Sequence, residues 1–135
     1  MEFTQEQLES MSDFELNVVA AYLFYDGGEV TTSPAKFGVQ VHVNGAFVDD
    51  SYNPCNSWSD CGDLIDECKG ISIYPISEDD HVNKSSSLTG EWESIGLSFG
   101  DNNLLTDISG MFTSINKNPK RAVTIVYILV KQSQK

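Results

Sequence analysis

The Asn44-Gly45 dipeptide leaves this chain little choice but to contain an antiparallel hairpin. It is the preferred two-residue type I′ turn, in which both residues take positive φ. Before it, Phe37-Gly38-Val39-Gln40-Val41-His42-Val43 alternates apolar and polar side chains, the period of a half-buried strand. After it, Ala46-Phe47-Val48 returns. A helix precedes the hairpin. Ser12-Asp13-Phe14-Glu15 reads as a capping box, and Leu16, Val19, Ala20 and Leu23 follow at helical spacing. Val18, Ala21 and Tyr22 widen its apolar face. Asp26-Gly27-Gly28 is expected to end it through a left-handed glycine, and a short helical turn is expected over Gln5 to Ser10.

Residues 29 to 36 read as a loop, with Thr31, Thr32, Ser33 and Pro34 as turn formers. Beyond the hairpin, Asp49 to Asn56 is dense in polar turn formers. Asn56 or Ser57 would cap a second helix through Trp58, Leu64 and Ile65, closed by Gly70. Gly70 to Tyr74 reads as a strand stopped by Pro75, residues 77 to 90 as a mobile loop, and Trp92 to Phe99 as another strand. An exposed strand at Val39 to Val43 or Trp92 to Phe99 would be able to pair subunits, although oligomeric state is not readable here.

The segment Arg121 to Val130 satisfies two descriptions. Its β-branched residues suit a strand. Asn118-Pro119 suits a helix start, and Ala122, Ile125, Val126 and Leu129 share one helical face. The helix is the reading taken. At nine residues or so the apolar run is too short to span a bilayer.

These elements fit one domain over residues 1–135, of α/β class and α+β type: a small antiparallel or mixed sheet flanked by N-terminal, middle and C-terminal helices. Hydrophobic residues at 40% and aromatics at 10% support a folded core without metal or disulfides. The formal charge of −12 is the main departure from the ordinary. It disfavours direct nucleic-acid binding and docking to anionic membrane, because Lys36, Lys69 and Lys84 are scattered and only Lys117, Lys120 and Arg121 lie close together. An acidic chain is instead expected to bind a basic partner on a host protein, or to imitate a nucleic acid toward a protein that binds one. A small anionic ligand, the other partner expected, would need a local site.

Cys55, Cys61 and Cys68 are too widely spaced for a zinc site, and His42 and His81 stand outside any ligand pattern. His42 lies on the polar phase of its strand. The opening residues carry no signal-peptide pattern, so the thiols are expected to be reduced in a cytosol. The carboxylates Asp49-Asp50, Asp60-Asp63-Asp66-Glu67 and Glu78-Asp79-Asp80 lack the loop pattern of an EF-hand. No metal and no cofactor is expected.

Three segments resemble one family. Ser12-Asp13-Phe14-Glu15-Leu16-Asn17, with Val19 and Ala20, is similar to the opening of NinX-like proteins of tailed bacteriophages. Cys55-Asn56, then Asp60 and Leu64-Ile65, resembles the segment that begins their middle helix. Asn118-Pro119-Lys120-Arg121-Ala122, then Ile125-Val126-Tyr127, resembles their closing helix. The resemblance implies a phage accessory protein in the host bacterial cytoplasm, with an α-β-α sandwich and a helical C-terminus. Trp58 stands where the family usually has proline, and Gly62 where tryptophan is expected. Residues 77 to 90 and 101 to 117 look like additions.

The candidate ligand-binding residues are Tyr52, Asn53, Cys55, Asn56 and Trp58, beside Asn118 and Arg121. Two helix N-termini converging at one sheet edge would attract an anion. Arg121 would add a forked donor, and Tyr52 or Trp58 a stacking ring. The plainer reading makes Asn56 and Asn118 caps and pairs Arg121 with a carboxylate. Cys55 is expected to be a packed thiol; as a nucleophile it would be the one nameable enzymatic residue. No catalytic residue is assigned and no enzyme is expected. Thirteen acidic residues between Asp49 and Asp107, offset only by Lys69 and Lys84, support an alternative: imitation of nucleic acid toward a host protein.

Overall fold

At Asn44 φ is 52° and at Gly45 it is 81°, the left-handed pair that a type I′ turn requires. The hairpin belongs to a computed structural model that describes residues 2–80, 85–99 and 108–134. Its elements run α1 (Gln5–Ser10), α2 (Asp13–Phe24), β1 (Val30–Ala35), β2 (Gly38–Val43), β3 (Ala46–Tyr52), α3 (Trp58–Cys68), β4 (Ile71–Asp80), β5 (Ser85–Phe99), β6 (Ile108–Asn116) and α4 (Pro119–Ser133). The class is α+β. The strands divide into two antiparallel three-stranded sheets, β1-β2-β3 and β4-β5-β6.

The N-terminal helices start as their sequences dictate. Ser12 accepts from the Glu15 N–H, and Glu15 accepts in return from the Ser12 N–H. Thr4 and Gln7 make the same reciprocal box for α1. The end of α2 departs from expectation: Tyr25 caps it at φ −96°, and neither Gly27 nor Gly28 is left-handed. Gly28 instead makes room for the Asn44 side chain, which a Cβ would strike. Asn44 Oδ1 accepts from the Glu29 N–H at 2.8 Å, tying the helix exit to the hairpin turn.

Three segments read as irregular are strands. Val30–Ala35 pairs along β2, with Pro34 opposite Val39. Proline is tolerated there because β1 is an edge with one neighbour. β3 continues through Asp49 and Asp50 to Tyr52. β4 runs past Pro75 to Asp80, with a register shift between Pro75 and Ser77, so most of the stretch expected to be a mobile loop lies in the β4–β5 hairpin. Residues 81–84, which include His81 and Lys84, lie outside the described residues. The same holds for 101–107 of the second expected addition, while Ile108–Asn116 forms β6. Backbone pairing made these strands, and backbone pairing leaves little trace in side-chain composition. Lys69, at φ 60°, rather than Gly70, takes the left-handed C-cap of α3. The two strands proposed as pairing edges, β2 and β5, are the central strands of their sheets.

The helical reading of the C-terminus is correct. Asn118 Oδ1 accepts from the Lys120 N–H at 3.1 Å, and Pro119 opens α4. Every residue from Ala122 to Val130 is buried. The helix lies on the inner face of the second sheet, with α2 and α3 against its other sides. Small residues on β5 and β6 let it approach: Ser94, Ser98 and Ser114 are buried beneath it, and a Cβ on Gly96 would collide with Val126 and Val130. From α4, α2 carries the core across to β1 and β2.

Candidate functional site

The starts of α2, α3 and α4 meet in one network of hydrogen bonds. Asp13 and Asn17 stand four residues apart on α2 and so share a face. Asn17 is 2% exposed. Its Nδ2 donates to Asn53 Oδ1 at 2.8 Å, and its Oδ1 accepts from the Cys55 N–H at 3.2 Å. Asn56 Nδ2 donates to Asn53 Oδ1 and to Asp13 Oδ2, each at 3.2 Å. From α4, Asn118 Nδ2 donates to the Cys55 carbonyl at 2.7 Å. Ser57, not Asn56, caps α3, accepting from the Asp60 N–H at 3.3 Å.

Arg121 is the largest donor of this network. Nη1 reaches Asp13 at 2.7 Å, and Nη2 reaches the carbonyls of Glu9 and Met11 at 3.0 and 2.6 Å. Those carbonyls close α1 and lead into α2, so the guanidinium sets the corner between them. Five of the seven candidate residues, Asn53, Cys55, Asn56, Asn118 and Arg121, thus stand together. Asp13 and Asn17 complete the group and were missed. Their spacing of four in the Ser12–Asn17 segment was the signal that would have found them.

The two aromatic candidates lie apart. Tyr52 is 1% exposed and sits among Phe24 and Tyr25, with ring centroids 6.0 and 5.5 Å away. Its hydroxyl is buried without a hydrogen-bond partner among the described residues. It offers no open ring face to a ligand. Trp58, at 55% exposure, does, and the Lys120 ammonium stands 4.6 Å from its ring centroid.

Cys55 is fully buried, and burial pushes its thiol up to about 12, with Asp13 adding to the effect. Cys61 and Cys68 are likewise pushed up by burial, to about 12 and about 11. A thiol in that range holds its proton at neutral pH and is a poor nucleophile. His42 packs edge-on against Phe47. Among the described residues, no three His, Cys, Asp or Glu side chains group closely enough to hold a metal ion, and no helix is long and apolar enough to cross a membrane.

A second arrangement emerges only in three dimensions. The Tyr25 hydroxyl reaches Asp49 of β3 at 3.4 Å, and Asp60 and Asp63 of α3 add their charge to its surroundings. Burial, then Asp49, Asp60 and Asp63, push the Tyr25 phenol up to about 12. Burial likewise raises the Asp60 carboxyl; Asp49 and Asp63 add to this, against the opposing Asn53 N–H at 2.9 Å. Asp50 on β3 and Asp63 and Asp66 on α3 are exposed. Glu67 is otherwise engaged, accepting from Tyr127 at 2.6 Å and pairing with Lys131 at 2.8 Å. A separate cavity of about 550 Å³, lined by Phe3, Val18, Val19, Tyr22, Leu23 and Gln132 with Glu2 at its wall, touches neither arrangement.

The segments that carried the sequence resemblance are those that interlock at the helix starts. A family model described as "Bacteriophage P22, NinX" matches residues 7–131, nearly the whole chain. No curated protein and no solved structure matches it significantly. The chain belongs to the bacteriophage P22 NinX family.

Proposed function

We propose that this phage protein acts by binding, and that it binds a basic surface of a host protein through the acidic face of β3 and α3. The carrying observation is that Asp49 of β3, in reach of the Tyr25 hydroxyl, and Asp60 and Asp63 of α3 all act on Tyr25 from two separate segments. Like charges that share one face repel each other, and an opposing cationic surface would relieve that repulsion. A host defence or regulatory protein that normally grips nucleic acid presents such a surface. No chemical step is assigned to the protein, and its effect on the partner is occlusion.

The test is capture from host lysate by tagged protein, washed at about 0.05 and about 0.5 M salt. Asp50, Asp63 and Asp66 changed to Asn make the informative variant, since Asp60 and Glu67 also hold the fold together. A host protein retained at low salt, released at high salt and lost with the variant is the expected result. Retention that ignores both salt and the variant would sink the proposal.

A second reading is favoured by one observation, the exposed Trp58 ring beneath Lys120. It would stack a nucleotide-like anion near Asn56 and Asn118. In that case a metabolite would leave the purified protein only on denaturation, and Trp58→Ala would abolish its retention.

A further inference from the structure

The second sheet has two faces, and α4 covers only one. Along β5, Ser94, Gly96 and Ser98 point to the helix, so Ile95, Leu97 and Phe99 point away from it. The register carries the same phase across the sheet. Leu97 stands beside Met111, Glu93 between Tyr74 and Ile115, and Phe99 beside Ile108. The outer face is therefore largely apolar, with Ser72 and Thr113 beside Ile95 as its polar members. Met111 is 65% exposed, Ile108 51%, Ile115 48% and Tyr74 39%, and none of these belongs to the core cluster.

We infer that this outer face is a docking surface for a second copy of the same chain, forming a two-fold, sheet-on-sheet dimer. Area and charge both support that occupant. Strands about 4.8 Å apart, rising about 3.3 Å per residue, make a face about 14 by about 27 Å. That is about 400 Å² flat and about 500 Å² per copy with side-chain relief, so a pair covers about 1,000 Å², the lower limit for a specific interface. Two such faces pack at a crossing angle of about 30°, the twist of each sheet meeting the other. Charge decides between a copy and an unlike partner. In a chain of net charge −12, Glu91 and Glu93 are the charged residues on this phase of β5 among the described residues, and Glu93 accepts from the Tyr74 hydroxyl. A copy thus brings few carboxylates to this face, and they sit toward one end of β5 while Leu97, Phe99, Met111 and Ile108 occupy the other. A cationic partner would find only Glu91 and Glu93 to pair with among the described residues of this face.

The charge argument has a signature. The remainder of each copy repels the other, so salt strengthens the dimer by screening that repulsion. This is opposite to the salt dependence expected of the acidic face, and the two proposals fail independently.

The experiment is sedimentation equilibrium of the purified chain from micromolar to about 1 mM, at about 0.05 and about 0.5 M salt. A dimer that tightens with salt is expected. Met111→Glu and Ile115→Lys, each on an exposed side chain, are expected to weaken it at least about 30-fold. Far-UV circular dichroism checks that each variant folds. Phe37→Ser, an exposed apolar residue outside this sheet, is expected to leave association unchanged. A chain that stays monomeric at about 1 mM in both salts overturns the inference. So does a dimer indifferent to both variants, or a monomer that floats with uncharged phosphatidylcholine vesicles, which would give the face to lipid.

Discussion

Replacing Arg121 with methionine separates two roles that a binding assay alone would confuse. Methionine keeps most of the apolar stem and removes three charge-assisted hydrogen bonds, one to Asp13 and two to the Glu9 and Met11 carbonyls. The ion pair is the smaller part. Arg121 is 13% exposed but Asp13 is 41%, and pairs open to solvent on one side contribute about 0–1 kcal/mol. The carbonyl bonds contribute more. Each joins a charged donor to the backbone, at about 1–2 kcal/mol apiece once partial rehydration is allowed. The total loss expected is about 2–5 kcal/mol, most of it from the carbonyl bonds. With a slope of about 2 kcal/mol/M, the urea midpoint falls by about 1–2.5 M. Asp13→Asn should cost about 1 kcal/mol or less, and the double variant should show a coupling no larger than that. If Asp13→Asn costs as much as Arg121→Met, and the pair together costs no more, the ion pair holds the corner and the carbonyl argument is wrong. If neither moves the midpoint, Arg121 is not structural and its place in a ligand site regains force.

Two further outcomes test the core and the thiols. Gly96→Ala should lower stability by about 1–3 kcal/mol, because the new methyl meets Val126 and Val130 on the buried helix; an unchanged urea midpoint would mean that α4 does not sit this closely on β5. Alkylation of native protein should spare Cys55, with its thiol pushed up to about 12, at pH 8 and pH 9, because a raised thiol pKa leaves little thiolate until pH approaches that value. The labelling rate should rise about tenfold per pH unit, and rapid Cys55 modification at pH 8, read by peptide mass spectrometry, would restore it as a nucleophile.

The features legible in the sequence were those closed within a few residues. The Asn44-Gly45 turn, the Ser12–Glu15 box and the Asn118-Pro119 start each satisfy backbone groups next to the residues that signal them. Five of the proposed site residues were also legible as a group, because each stands at or near a helix start and helix starts share the need for polar partners. The partners themselves were not. Arg121 turns to Asp13 and two carbonyls over a hundred residues away, and Tyr52 turns into an aromatic cluster.

Apolar pattern was silent where burial is complete. A helix covered on all sides needs no polar stripe, so the apolar pattern of Arg121 to Val130 also suits a strand; the Asn118-Pro119 start pointed to helix, and β5 and β6 offer it a bed of Ser94, Gly96, Ser98 and Ser114. The polar strands β1 and the outer β4–β5 hairpin were equally hidden, since cross-strand hydrogen bonds belong to the backbone that all residues share. Local chemistry thus determined where helices begin and where the chain reverses. Only tertiary structure decided which strands pair, which carboxylates act on Tyr25 and which sheet face is left uncovered, because those depend on contacts between residues the chain holds far apart.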